Sequence, residues 1–168
     1  MKPYALLFVA ILITAFAWPP NVDGEPQKDP TQLILGKWIV VHSTYTPFEH
    51  VSYCDSLTED AVFEFRKDRT LLVYASPGDT NCNQSQSYAI DERRIEMLEY
   101  DMLWNYDILK LSNDSLKFRI NRIPNSFWTT QGLSDSAMYA RMMELRDEGI
   151  VVTLAKLRSR EVDRVPRF

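Results

Sequence analysis

The feature that most limits what this chain can fold into is a hydrophobic period of two, repeated along most of its length. Trp38, Val40 and His42 alternate with Ile39, Val41 and Ser43. Further on, Ala61, Phe63 and Phe65 alternate with Val62, Glu64 and Arg66, and Leu71, Val73 and Ala75 follow after the short polar link Lys67-Asp68-Arg69. The same alternation returns at Ile95 and Met97, at Trp104, Tyr106 and Ile108, and at Leu116, Phe118 and Ile120. Side chains that switch faces at every residue define a half-buried strand and cannot line one side of a helix. With a weaker polar segment at 85–90 the chain offers seven strands, punctuated by turn signals at Pro77-Gly78-Asp79 and Asn113-Asp114. Short links between successive strands predict an antiparallel meander, closed into a barrel or folded as a sandwich.

The period changes once. Met138, Met142 and Leu145 fall at i, i+4 and i+7, behind Ser134 as a capping residue and ahead of Gly149 as a stop, so a helix is predicted over 134–147. Ile150, Val152 and Leu154 then return to strand alternation, which makes an eighth strand.

Both ends of the chain differ from this pattern. Lys2 and the uncharged apolar run from Ala5 to Trp18, closed by Pro19 and Pro20, read as a signal peptide over residues 1–24, with small residues for cleavage after Ala17 or Gly24. The run is shorter than the roughly 20 residues of a membrane-spanning helix. Residues 25–32 read as a flexible polar lead-in, 33–158 as the folded domain and 159–168 as a basic, solvated tail. A secreted or periplasmic protein is expected, with no membrane span in its mature form. The two cysteines, Cys54 and Cys82, are then expected to form a disulfide. A net charge of −4 with both signs mixed argues against a nucleic-acid partner.

Gly36-Lys37-Trp38 opens the first strand. A Gly-x-Trp at that place, ahead of an up-and-down series of strands, resembles the lipocalin (calycin) group, and more closely its short secreted members. The family's Asp-Gly-Thr hairpin is represented here by Lys67-Asp68-Arg69-Thr70, with arginine in the glycine position, and its Thr-Asp-Tyr motif is absent. The resemblance implies an all-β fold: an eight-stranded antiparallel up-and-down barrel with one helix inserted between strands 7 and 8. It also implies that Gly36 and Trp38 sit at the closed end, with an arginine packed on the indole. Arg158 shares the parity of Ile150, Val152 and Leu154 and is the expected partner, with Arg119 and Arg122 as rivals. In such a barrel, Cys54 and Cys82 lie in two links at the open end.

An eight-stranded barrel has room for packed side chains or for one small ligand. The expected inward set includes Trp38, Leu71, Leu116 and Leu154. Nine further positions are the expected ligand-binding residues: Val40, His42, Phe63, Phe65, Val73, Tyr106, Ile108, Phe118 and Val152. His42 and Tyr106 are the polar handles of that set. Met138, Met142 and Leu145 are candidates for a lid across the mouth. No nucleophile elbow, phosphate-binding glycine loop or His-Glu-x-x-His occurs, and the two histidines, His42 and His50, match no zinc spacing. The expectation is a non-catalytic binding protein with no cofactor or metal, holding a small, mostly apolar molecule in its lumen. The alternative is a protein-binding or structural module with a filled barrel. A void in the lumen favours the first reading and a close-packed interior the second.

Overall fold

The structure is a computed structural model. It describes residues 29–51, 54–83, 86–91, 93–99, 102–123, 127 and 134–158, and the side chains of all of these except Glu99 and Met102. The segment 1–24, predicted as a signal peptide, and the predicted tail 159–168 lie outside the described residues.

Eight strands pair in sequence order and close on themselves: β1 (Gly36–Ser43), β2 (Val62–Phe65), β3 (Thr70–Tyr74), β4 (Gln86–Ile90), β5 (Arg94–Glu99), β6 (Met102–Leu111), β7 (Ser115–Ile120) and β8 (Ile150–Lys156). Every neighbouring pair is antiparallel, and β8 lies beside β1, with Trp38 opposite Lys156 and Val40 opposite Leu154. Closure leaves no free sheet edge. The inward face is the predicted apolar one: Trp38, Val40, Phe63, Phe65, Leu71, Val73, Tyr106, Leu116, Phe118, Val152 and Leu154 are all buried.

Helix α2 (Asp135–Glu148) is inserted between β7 and β8, as predicted. Ser134 caps it by accepting from the Ala137 N–H, and Gly149 ends it at φ 69°. A Cβ at Gly149 would lie 2.8 Å from both Arg119 Cγ and the Ile120 carbonyl oxygen, so the return into β8 requires glycine. Leu145 is buried, while Met138 and Met142 pack half-buried on the core.

The closed end differs from expectation in two respects. Residues 30–33, which span the end of the predicted flexible lead-in and the first residue of the predicted domain, form a helical turn, α1 (Pro30–Leu33), capped by the Asp29 side chain with proline at its first position. The end of α1 leaves carbonyls that need donors. The Trp38 indole N–H donates to the Ile34 carbonyl at 2.6 Å, and the Lys156 ammonium donates to that of Leu33 at 3.0 Å. Lys156 is therefore the cation over the Trp38 ring, 4.8 Å from its centroid. Arg158, the predicted partner, is exposed. Both residues have the right parity; β8 ends at Lys156, so the cation opposite Trp38 is two residues earlier than predicted. Arg122, one of its rivals, stacks instead on Trp104 near the other end of the barrel.

His42 is a further correction. It was expected in the lumen but lies on the outer surface, 3.8 Å from the exposed carboxylate of Glu59. Pairing with β8 slips between Val40 and His42, so two residues of β1 face one step of β8. Such a bulge reverses the parity beyond it. Val41 and His42 both point outward, and Ser43 becomes the buried residue.

Candidate functional site: the open end and its inserted loop

At the open end the β1–β2 connection does not arch over solvent. It turns inward. Phe48, Glu49, His50, Val51, Cys54 and Leu57 are all buried. Phe48 and Leu57 exchange backbone hydrogen bonds of 2.8 and 2.9 Å, and the His50 N–H donates to the Cys54 carbonyl. Three apolar side chains at 48, 51 and 57 supply the drive for burial. The Cys54–Cys82 disulfide ties the connection to the β3–β4 link, as predicted.

Cys82 and Asn83 complete a wall that the strands leave unfinished. β3 and β4 pair over only two positions, Thr70 with Ser87 and Leu71 with Gln86. Above them, the Cys82 N–H donates to the Val73 carbonyl at 2.8 Å. Asn83 Oδ1 accepts from the Val73 N–H at 2.7 Å, and Asn83 Nδ2 donates to the Leu71 carbonyl at 3.0 Å. One side chain thus extends the ladder.

This fixes the protonation of His50. With its oxygen held by Val73, Asn83 presents its amide nitrogen to Gln86, whose oxygen accepts at 3.1 Å. That same oxygen lies 2.8 Å from His50 Nε2, so Nε2 carries the proton. Nδ1 then accepts from the Tyr106 hydroxyl at 2.6 Å, and that hydroxyl shares its proton with the His50 carbonyl at 3.1 Å. The imidazole stands edge-on to Phe63 and Tyr106, with centroids 5.3 and 5.7 Å away. Tyr106 stacks on Phe118. Burial holds the His50 pKa down from 6.5 to about 4; the bond to Gln86 opposes the shift and the positive charge of Arg122 adds to it. The ring is neutral at physiological pH.

Arg122 clamps the inserted loop from outside. Its Nη2 donates to the carbonyls of His50 (3.0 Å) and Glu49 (3.3 Å) and lies 3.6 Å from the Glu49 carboxylate. Its guanidinium lies 4.1 Å from the centre of the Trp104 ring. Among the described residues, three buried donors at this end have no acceptor: Gln86 Nε2, Trp104 Nε1 and Arg119 Nε.

The predicted ligand-binding residues meet one another rather than a void. Phe63, Val73, Phe118 and Val152 have no exposed surface, and neither do Leu71, Ile95, Met97 and Leu116 around them. A space able to hold a water would leave accessible area on its walls. Ile108 is half-buried, and His42 lies outside. In place of His42 the lumen contains His50, with Gln86 and Asn83 behind it. One signal for this was present in the sequence: Phe48, Val51 and Leu57 are too apolar for a link at the surface.

Met138, Met142 and Leu145, the lid candidates, turn one face of α2 to the core, and Arg141 lies over the Tyr45 ring. Among the described residues no three metal-ligating side chains cluster, and no helix is long and apolar enough to cross a membrane. The closed eight-stranded order is consistent with the calycin architecture. The chain matches no family model, and no curated protein matches it.

Proposed function

We propose that this chain is an exported, non-catalytic binding module of calycin-like architecture whose barrel is filled by its own β1–β2 connection, and that recognition takes place on its exterior. The observation that carries this reading is the burial of the inward side chains of β2, β3, β5, β7 and β8, with Phe63, Val73, Met97, Phe118 and Val152 fully enclosed and His50 inserted among them. The disulfide fits an oxidising compartment. A non-catalytic role is supported by His50: both ring nitrogens serve neighbouring side chains, and a general base must instead reach a substrate proton.

Titration with a fluorescent lipid probe tests the reading. The parent protein is expected to show no saturable one-to-one signal up to about 10 μM. Stoichiometric binding that is lost in Val73→Trp would restore a lumen ligand. So would an apolar molecule retained in native mass spectrometry of protein from its own source.

A further inference from the structure

The β2–β3 hairpin at the closed end contains an arginine where the backbone favours glycine. Arg69 has φ 64°, in the left-handed region. The conformation is imposed by its surroundings: the Arg69 N–H donates to the Arg66 carbonyl, the Arg69 carbonyl accepts from the Tyr88 N–H, and Asp68 Oδ1 accepts from the Thr70 N–H. Glycine meets this requirement without a steric penalty. A side chain kept in a disfavoured backbone conformation directs attention to what that side chain does.

The Arg69 side chain lines a surface concavity of about 480 Å³ between the hairpin, β4 and α1. Lys67 lines the same space, with Tyr88, Ile90 and Leu35 as an apolar floor and Thr31 at the rim. Among the described residues neither cation has an ion-pair partner within 4 Å. Nearby acids are engaged in their own turns: Asp68 with the Thr70 N–H, Asp29 with Thr31, and Asp91 with the Arg93 and Arg94 N–H groups. Two cations and no carboxylate on the wall of a pocket that also has apolar lining match an oxyanion carried on an apolar body.

We propose that this pocket is a binding site for a small organic oxyanion, an aryl or alkyl group bearing phosphate, sulfate or carboxylate, with Arg69 and Lys67 gripping the charged end and Tyr88, Ile90 and Leu35 receiving the body. The proposal is independent of what fills the lumen, because the pocket opens on the outside of the closed end.

Phenyl phosphate is the probe, read by amide NMR shifts, with inorganic phosphate and benzyl alcohol as the arms that separate charge from body. Phenyl phosphate is expected to shift the amides of 67–70 and 88–90 saturably by about 10 mM, more strongly than either control. Arg69→Gly is expected to weaken binding by about tenfold while raising the melting temperature, because it removes the anion contact and the backbone strain together. Lys67→Ala is expected to weaken binding similarly with no such rise. The proposal is overturned if phenyl phosphate leaves those amides unmoved. It is equally overturned if benzyl alcohol or inorganic phosphate binds as well, or if Arg69→Gly stabilises the fold with binding intact.

Discussion

Acid should destabilise this protein through His50, in addition to the carboxylates of Asp29, Glu64 and Asp91, whose hydrogen bonds hold their pKa values down. His50 has a pKa of about 4 in the folded barrel, where burial dominates, against 6.5 as its ordinary value. The unfolded chain therefore takes up a proton before the folded one does. The stabilising contribution is fully present above pH 6.5 and is lost as the pH falls toward 4. A difference of this size, at about 1.4 kcal/mol per pH unit, is worth about 3 kcal/mol in all and roughly 2 kcal/mol by pH 5. His50→Phe is the informative comparison. It retains an aromatic ring against Phe63 and Tyr106, and Gln86 keeps its bond from Asn83. The substitution removes two hydrogen bonds and the titration, at a cost of about 1–2 kcal/mol at pH 7.5. Urea unfolding of both proteins between pH 7.5 and 4.5 gives the test. Carboxylates titrate alike in both and cancel in the difference. The parent midpoint should move toward that of the variant by about 1 M, since a urea slope is about 1–3 kcal/mol per M. Parallel midpoints across the whole range would refute a buried, neutral His50.

Other substitutions probe the same architecture. Cys54→Ser opens a cross-link of sequence separation 28, which should cost about 3–4 kcal/mol and lower the melting temperature by on the order of 10 °C under oxidising conditions. Equal melting temperatures would show that the bond contributes nothing. Gly149→Ala places a Cβ against Arg119, Ile120 and Asn121 at positive φ, and calorimetry should register a loss of at least about 2 kcal/mol. Arg122→Ala removes the donor from the Glu49 and His50 carbonyls, so hydrogen exchange should accelerate at the amides of 48–51 while the β7–β8 ladder keeps its protection.

The strands were legible because alternation survives in the sequence wherever one face is buried. The α2 boundaries were legible for a local reason too: Ser134 and Gly149 act on their own turns. Three features escaped. The slip between Val40 and His42 leaves the written alternation unchanged, so the sequence alone points His42 inward. The Trp38 cation was misplaced from Lys156 to Arg158 because parity fixes a face but not the end of a strand. Insertion of the β1–β2 connection depends on partners distant in the chain, 36 residues away at Gln86 and 56 at Tyr106, which no local pattern encodes. The α1 turn had a readable cap in Asp29-Pro30, but four residues are too few to form a helix on propensity alone.

Nitrogen-15 and proton NMR of the His50 ring test the filled barrel most directly. The protein should show a neutral imidazole protonated at Nε2, with proton–proton contacts to the Phe63 and Tyr106 rings that persist down to about pH 4. A ring that titrates near 6.5 and shows no contact with either aromatic would place the loop outside and leave the lumen open.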